Sequence, residues 1–599
     1  MPAPQRPGWI RSLALAGALL SWGCGSESQT SVEAPPRRET PNQASVLGYN
    51  LDFPGDWTNQ PPFIDLIENS RAPAGDCSAQ DPDCDPVAHL DLASDGWPRS
   101  LRYRDDPSQA YQSIQIIISS GNDGADVGQR FLVTWEGSGR IELENATDVQ
   151  VDAAARRISF TLQSDATFLR LVEVDPQRRG DYLKNIRVFR AGFEPLLLAG
   201  EIFDPETLDF LVPFRSLRFM DWMQSNAFGQ CSGGSRAGEN CYAITDDDCG
   251  SGRCLMPGNW DERPRDDAPS RLASGQYLDP AAPELGTKVG GYALETMVAL
   301  ANRVPADPHF NIPAAADDAF VQGFAEYLKD HLAPGLVASI EYSNEVWNWG
   351  FPQAEYANQR GLALWPDESS AWVQFMAGRT QQVCRIVKRV FRGQEQRIRC
   401  LISPQTGWRS LAETVLDCPA WAADHPETGA CSSGIDAVNI TGYFAGCLPN
   451  HEELIEEWLS DGQARALDLG FEQLEHGGRI EDCRGEDEDN LDYTIDGYRY
   501  FSELAAQRGL GLYVYESGTH FSYEGENDAV RDFFVAMTRD ERMHDAYTRN
   551  FRGFLEHGGE ILNVWGWIGP DDMWANADSI RDRAHPKYRA ITDFVAAQR

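Results

Sequence analysis

Two glutamates each end a short apolar segment of the kind that forms a buried strand. Glu345 ends VASIEYSNE (337–345), and Glu516 ends LGLYVYE (510–516). A carboxylate that follows an apolar strand and lies near aromatic residues suits the cleavage of a glycosidic bond. In that reaction one carboxyl group protonates the departing oxygen, and the other attacks or stabilises an oxocarbenium-like carbon. The sequence therefore predicts that Glu345 and Glu516 act as a catalytic pair.

From residue 192 onward, helical and strand patterns alternate along the chain. Apolar segments are separated by amphipathic ones such as DDAFVQGFAEYLKDHL (317–332), which indicates a parallel α/β sheet. With GYNLDF (48–53) as the first strand there are eight strands, and this predicts a (β/α)8 TIM barrel. The predicted strands are 48–53, 216–223, 308–313, 337–345, 397–403, 436–444, 510–516 and 560–567.

In a TIM barrel the catalytic groups lie at the carboxyl ends of the strands. Glu345 and Glu516 end the fourth and seventh predicted strands, so we expect the fold to bring them to one mouth of the barrel. An ion pair between either carboxylate and an arginine at that mouth is the structural alternative.

Residues 74–191 have a different pattern, with short β-rich segments and no helical ones, which is typical of an all-β sandwich. The segments are 113–118, 130–136, 140–144, 157–163, 167–174 and 186–190. We expect this accessory domain to be inserted after a first βα unit at 46–73. The rest of the catalytic barrel would then occupy 192–599, with a Cys-rich loop at 224–288. The sandwich could equally precede a barrel whose first strand lies elsewhere.

The chain is strongly acidic, with 52 Lys and Arg residues against 91 Asp and Glu residues and a formal net charge of −39. A protein that binds phosphates needs a basic surface, so this charge argues against nucleic acid as a partner. The 17 Trp residues suit both a large core and the binding of flat ligands such as sugar rings.

The first 24 residues have the pattern of a signal peptide. Their apolar run at 13–20 is too short to span a bilayer and is followed by Gly23 and Cys24. A small residue before a cysteine here resembles a bacterial lipoprotein signal, in which Cys24 is lipidated, and simple secretion is the alternative. Residues 25–45 are polar and Pro-rich, as expected of a flexible linker. We therefore expect an exported protein, which is either an outer-membrane-anchored lipoprotein or periplasmic or extracellular.

The 13 cysteines agree with export, since 12 remain when Cys24 is set aside, and these form close pairs in sequence. Up to six disulfides are expected, although the sequence does not determine their connectivity. The neighbouring pairs are Cys77 and Cys84, Cys231 and Cys241, Cys249 and Cys254, Cys384 and Cys400, Cys418 and Cys431, and Cys447 and Cys483. A zinc site at Cys231, Cys241, Cys249 and Cys254 is the alternative, but their spacings are not those of tight zinc-binding pairs.

The order of the candidate residues resembles clan A of the glycoside hydrolases. That clan carries Asn-Glu at the end of strand four, with the glutamate as acid/base, and a nucleophilic glutamate at the end of strand seven. The matching residues are Asn344, Glu345 and Glu516, and the resemblance covers residues 46–73 and 192–599. It implies a retaining mechanism in which Glu516 attacks the anomeric carbon while Glu345 protonates the departing oxygen and then activates water.

Two further positions resemble the residues that hydrogen-bond the nucleophile in this clan. They are Arg218, at the end of strand two, and Tyr443, at the end of strand six. They would keep Glu516 ionised through an opposite charge and a hydrogen bond. A local ion pair between Arg218 and Asp221 is the structural alternative.

The resemblance also assigns aromatic residues to the sugar-binding site. Trp565 on strand eight resembles the aromatic floor of the sugar subsite, with Trp567 on the same face as the competing choice. Trp347 and His520 are additional candidates for substrate binding, although core packing would explain Trp347 equally well.

Four stretches, LRFMDWM, ALETMVALAN, YSNEVWN and YE, also resemble secreted bacterial proteins loosely labelled cellulose-binding. We therefore expect hydrolysis of a β-linked polysaccharide such as cellulose, xylan or another β-glucan-like chain, by a monomer without metal or organic cofactor. The alternative is a non-catalytic carbohydrate-binding surface lipoprotein on the same scaffold. A structural surface protein held together by disulfides is a third possibility.

Overall fold

The computed structural model describes most of the chain from residue 42 onward. The described residues are 42–71, 73–76, 86–87, 89–120, 124–227, 229–232, 235–236, 240–241, 249–250, 253–255, 258–265, 276–278, 287–289, 291–483 and 489–598. The expected signal peptide with Cys24, most of the expected linker, and Cys77 and Cys84 lie outside them. Within the described residues, no helix combines the length and apolar character that a membrane span requires.

Eight parallel strands form a closed barrel, which confirms the predicted TIM barrel. From β1 to β8 they are Leu47–Asn50, Ser216–Arg218, Asp307–Ile312, Ala338–Tyr342, Ile398–Ile402, Ala437–Phe444, Gly511–Thr519 and Ile561–Val564. Each strand pairs with its neighbours in sequence order, and β1 closes the barrel by pairing with β8. All five residues of β4 are buried, since one of its faces lines the barrel interior and the other is covered by helices.

Helices surround the barrel strands, and most of them bury an apolar face against the barrel. The α-helices are Glu194–Leu198, Pro205–Phe210, Leu294–Arg303, Asp318–His331, Pro352–Leu364, Ala371–Val390, Arg409–Asp417, Pro419–Asp424, Glu452–Ser460, Gln463–His476, Leu491–Ala506, Asp528–Arg539, Arg542–Glu556 and Pro586–Ala597. Helix Asp318–His331 is representative: Asp317 caps its N-terminus by accepting from the Phe320 backbone N–H. Its buried residues Phe320, Phe324 and Leu328 recur at helical spacing toward the core.

Two four-stranded antiparallel sheets pack face to face between β1 and β2 along the chain. One contains Ala74–Gly75, Ile114–Ser120, Ala166–Val174 and Gly139–Glu144, and the other contains Ala146–Asp152, Arg157–Leu162, Arg130–Glu136 and Lys184–Arg190. Alternate residues point into a separate apolar core between the sheets, as the period of two predicts. These strands therefore interrupt the barrel after β1 rather than preceding it.

The expected short helix within 46–73 is a single 3-10 turn, Leu66–Asn69, and not an α-helix. Asp65 caps this turn by accepting from the Ile67 backbone N–H, and it also accepts from the Val188 backbone N–H of the antiparallel domain. The turn thus connects the barrel to the inserted domain. The helices that precede β2 come after the inserted domain in the chain.

Disulfides occur at Cys231–Cys249, Cys418–Cys431 and Cys447–Cys483. Cys231 bonds to Cys249 rather than to its neighbour Cys241, which is itself disulfide-bonded. A sulfur in a disulfide is not a thiolate ligand, so these bonds argue against the zinc alternative. Cys384 and Cys400 were expected to be disulfide-bonded. They are instead buried free thiols that form a hydrogen bond.

Candidate active site

The carboxyl ends of β4 and β7 place Glu345 and Glu516 at the same mouth of the barrel. Glu345 lies three residues beyond Tyr342, the last residue of β4, and Glu516 lies within β7. The backbone after β4 is strained, since Ser343 and Glu345 have φ angles of 55° and 39°. Residues other than glycine rarely occupy this left-handed region, and such strain is concentrated at functional sites.

A β-bulge in β7 determines the direction of Glu516. Ile440 of β6 pairs with Val514, but the next residue of β6, Thr441, pairs with Glu516, so that Tyr515 is the extra residue. The side-chain amide of Asn50 donates to the Tyr515 carbonyl oxygen over 2.8 Å. Because of the bulge, Tyr515 and Glu516 both contact active-site residues although they are adjacent in sequence.

Glu516 is buried and accepts hydrogen bonds on both carboxylate oxygens. Arg218 donates from Nη1 to Oε1 over 2.5 Å, and the Tyr443 hydroxyl donates to Oε2 over 3.0 Å. The structure therefore brings together the three residues that the resemblance associates with the nucleophile.

Arg218 is fully buried on β2 and donates to several acceptors besides Glu516. Its Nη1 donates to Asn50 Oδ1 over 3.0 Å, and its Nη2 donates to Asn344 Oδ1 over 2.6 Å and Glu341 Oε2 over 3.2 Å. These acceptors do not include Asp221, so the expected alternative of a local ion pair is not observed among the described residues.

Glu345 has two neutral donors. The Tyr515 hydroxyl donates to Oε1 over 3.1 Å, and Asn348 Nδ2 donates to Oε2 over 2.9 Å. Burial, followed by the charge of Glu516, raises the pKa of Glu345 to about 8.

Burial also raises the pKa of Glu516, but the charge of Arg218 and the hydrogen bonds from Arg218 and Tyr443 act against it. Among the residues that the structure describes, Glu345 has no such contact with a cation. Since two nearby carboxylates resist being charged together, these contacts favour the ionised form of Glu516 and the protonated form of Glu345.

A cluster of aromatic rings lies beside Tyr443. The His520 ring stacks on the Tyr443 ring, with 5.1 Å between the ring centroids. The centroid of Trp574 lies 4.7 Å from that of His520 and 5.9 Å from that of Tyr443. Trp565 follows β8 directly, is half-buried, and lies 6.3 Å from Trp574. Sequence reasoning missed Trp574 because it lies in an irregular loop nine residues beyond Trp565.

The two remaining aromatic candidates lie outside this cluster of ring contacts. Trp567 is half-buried in the loop after β8, where its carbonyl oxygen accepts from the Asn576 backbone N–H over 2.9 Å. Trp347 packs against the barrel core, and its buried indole N–H has no hydrogen-bond partner among the described residues.

Sequence reasoning also missed Glu341, a carboxylate buried inside the barrel on β4. Its Oε2 accepts from Asn311 and contacts His309 at 2.9 Å, while Oε1 accepts from the Ser403 hydroxyl over 2.7 Å. These donors and the Arg218 charge outweigh the effect of burial and hold the pKa of Glu341 at about 2. The sequence signal that could have identified Glu341 is the presence of polar residues at the centres of otherwise apolar strands.

Two groups of residues bring possible metal ligands together, Cys231 with Cys241 and Cys249, and Cys447 with His451 and Cys483. All of these cysteines are in disulfides, so neither group offers a free thiolate among the described residues.

No protein-family model matches the sequence, and no curated protein matches it significantly. Similar solved structures include two family 51 arabinofuranosidases. The one from Xanthomonas axonopodis pv. citri has 11% identity and a TM-score of 0.33 over 65% of each chain. The one from Bifidobacterium longum has 12% identity and a TM-score of 0.34 over 66% of each chain. The match thus spans slightly less than two thirds of either arabinofuranosidase.

A family 44 endoglucanase from Clostridium thermocellum has 11% identity and a TM-score of 0.29, over 59% of this chain and 70% of the endoglucanase. At these low values none of the likenesses carries an argument about function.

Proposed function

We propose that the protein is a retaining glycoside hydrolase that cleaves a β-linked polysaccharide. The observation that carries this proposal is the unequal environment of the two carboxyl groups. Glu516 accepts from a cation and a phenol, which stabilises its carboxylate. Glu345 has a pKa of about 8 and holds a proton at neutral pH. One carboxylate and one carboxylic acid are the two groups that a double displacement requires at its start.

In the first step Glu516 attacks the anomeric carbon, the glycosidic bond breaks, and Glu345 gives its proton to the departing oxygen. In the second step Glu345 takes a proton from water, and the water oxygen displaces Glu516 from the anomeric carbon. The two displacements together retain the anomeric configuration. This mechanism requires carboxyl groups about 5–5.5 Å apart, against about 6.5–9.5 Å for inversion. These two residues and water account for every proton and bond, so the proposal includes no cofactor.

The aromatic residues at the same mouth support a sugar substrate. Trp574 lies beside Tyr443, which contacts the proposed nucleophile, and Trp565 lies beside Trp574. Both indole rings are half-buried. Half-exposed indole rings offer flat apolar faces together with a polar N–H, which suits sugar rings that carry hydroxyl groups at their edges. We include cellulose, xylan and related β-glucans in the proposed substrate class.

We also propose that the protein is exported. The disulfides Cys418–Cys431 and Cys447–Cys483 within the barrel support folding in an oxidising compartment. Lipid attachment at Cys24 stays a prediction, and fatty-acid labelling of the wild type beside Cys24→Ala would test it.

The proposed function is tested by the release of reducing ends from β-glucans, xylans and mannans by residues 25–599. The comparison is Glu516→Ala, with Glu503→Ala as a control because Glu503 is exposed on helix Leu491–Ala506. We expect release by the wild type and the control, and none by Glu516→Ala. The anomer that forms first, followed by NMR, distinguishes retention from inversion.

Activity that survives in Glu516→Ala would show that Glu516 is not the nucleophile. If no glycan is cleaved but one is retained by the protein in a pull-down, the protein is a carbohydrate-binding protein and not a hydrolase.

A further inference from the structure

Tyr515 contacts Glu345 directly and also contacts the arginine that binds Glu516. Its hydroxyl donates to Glu345 Oε1 over 3.1 Å, and its ring lies 5.0 Å from the guanidinium carbon of Arg218. Arg218 in turn donates to Glu516. Tyr515 is fully buried, so both contacts occur away from water.

The bulge in β7 makes this double contact possible. In a regular strand, residues 515 and 516 would point to opposite faces of the sheet. The extra residue in β7 instead lets the Tyr515 ring approach Arg218 while Glu516 accepts from the same guanidinium. Asn50 binds the carbonyl oxygen of the bulged residue, and it also accepts from Arg218 over 3.0 Å. The bulge is therefore held by the same group of side chains that surrounds the site.

We infer that Tyr515 is a positioning residue. Its hydroxyl orients Glu345, and its ring packs against the guanidinium that binds Glu516. This inference rests on the proposed function for the assignment of Glu345 as the proton donor. The contacts of Tyr515 do not depend on that assignment.

The direction in which Tyr515 shifts the pKa of Glu345 follows from the role of its hydroxyl as a hydrogen-bond donor. Burial and nearby negative charges raise the pKa of the Tyr515 hydroxyl well above its usual value, so it stays protonated and always donates. A donated hydrogen bond stabilises the carboxylate form of Glu345 and lowers its pKa. Tyr515 thus counteracts part of the effect of burial and keeps the acid able to give up its proton.

The test is Tyr515→Phe, which removes one hydroxyl and keeps the ring beside Arg218. Tyr513→Phe is the matched control, because Tyr513 is buried on the same strand near its amino-terminal end, in a separate apolar cluster with Leu401 and Ile561. We expect Tyr515→Phe to move the alkaline limb of the pH profile of kcat/KM upward by about one pH unit. The reason is that the loss of a hydrogen bond to a charged group shifts its pKa by about that much. We also expect kcat to fall about tenfold with little change in KM. Tyr513→Phe should change neither the alkaline limb of the kcat/KM profile nor kcat.

Two further measurements separate this inference from the proposed function. Carbon NMR of protein labelled at the glutamate carboxyl carbon, with Glu345→Gln to assign the signal, follows the Glu345 titration without substrate. Incorporation of 3-fluorotyrosine at position 515 retains the shape but makes the hydroxyl a stronger donor, so the Glu345 titration should move downward.

An unchanged Glu345 titration in both variants would overturn the role of Tyr515, even if the wild type cleaves glycans. Shifted titrations in a protein that cleaves no glycan would support the positioning role and reject the proposed function. If Tyr515→Phe does not fold, as judged by thermal unfolding, the fluorotyrosine variant decides the question.

Discussion

Arg218 and Glu341 form an ion pair inside the barrel, with Arg218 Nη2 at 3.2 Å from Glu341 Oε2. Both side chains are almost completely buried. The same guanidinium binds Glu516 through its other terminal nitrogen. Glu341 therefore balances a cation that would otherwise face a single carboxylate, and it holds that cation in the orientation in which it reaches Glu516.

Replacing Glu341 by glutamine should lower the free energy of unfolding by about 3 kcal/mol, because it leaves the buried Arg218 charge with one carboxylate fewer. Urea denaturation at neutral pH measures this loss. The pKa of Glu341 is depressed to about 2 in the folded protein, so its contribution is fully present above its unfolded pKa and is lost as pH falls toward 2. The variant should therefore lose less stability than the wild type in that acid range.

Glu295→Gln is the matched control, because Glu295 pairs with Arg263 at 2.6 Å outside the barrel interior. This pair is partly exposed, and its loss should cost less than the loss of Glu341. Equal losses in the two variants would mean that Glu341 has no special part in balancing Arg218.

Glu345→Ala should separate the two chemical steps. We expect activity on the natural polysaccharide to fall about a thousandfold, since general acid catalysis contributes on that order. An aryl glycoside with a good leaving group needs no proton donor, so its aryl group should still be released in a rapid burst. Azide should then accelerate turnover, because it attacks the glycosyl enzyme without a general base, and the product should be a β-glycosyl azide.

Glu516→Ala provides the contrast for this experiment, because azide would replace the nucleophile itself and give the opposite anomer. The same anomer from both variants, or a loss in Glu345→Ala that is equal for good and poor leaving groups, would contradict the assignment of Glu345 as acid/base.

The pH profile should follow from the raised pKa of Glu345. Because Glu345 must be protonated to act as the acid, kcat/KM should fall about tenfold per pH unit above pH 8. Burial raises the pKa of the nearby Asp221 to about 8 as well, so Asp221→Asn is the necessary control. The alkaline limb should persist in this variant, and its disappearance there would assign the limb to Asp221.

Much of the barrel could be predicted from sequence because each buried strand has an apolar pattern that differs from that of the helix after it. Glu345 and Glu516 were recognisable because a charged residue at the end of an apolar segment is costly unless it has a partner or a function. The boundaries were less predictable. The segment at 216–223 was expected to be one strand, but β2 ends at Arg218 and the chain then turns.

Other features depend on contacts that no local pattern encodes. The bulge at Tyr515 results from the register between β6 and β7, so sequence reasoning could not place both Tyr515 and Glu516 in the site. The helix Pro352–Leu364 was missed because Leu362 and Leu364 are exposed and weaken its amphipathic pattern. The strand Ala146–Asp152 was missed for a similar reason, since it is an edge strand whose residues are nearly all exposed.

Lys587 provides a test of stability away from the catalytic pair. It is completely buried at the start of helix Pro586–Ala597 and donates to Thr519 Oγ1 over 2.8 Å at the end of β7. Burial lowers the pKa of Lys587 from its usual 10.5 to about 7, with Asp572 opposing the shift only in part. Between these two pH values the unfolded chain binds more protons than the folded one, so this residue makes the protein more stable as pH rises from 7 to 10.5.

Lys587→Met should therefore increase the free energy of unfolding at pH 6. The buried charge costs about 5 kcal/mol there, and the lost hydrogen bonds are worth about 2 kcal/mol, which leaves a gain of about 3 kcal/mol. Lys388→Met should have the opposite effect, because hydrogen bonding to Asp436 over 2.8 Å raises the pKa of Lys388 against the effect of burial. Denaturation of both variants at pH 6 and pH 9 measures the difference. Destabilisation by Lys587→Met at pH 6 would mean that Lys587 is needed as a donor between β7 and the loop after β8, and that this need outweighs the cost of its burial.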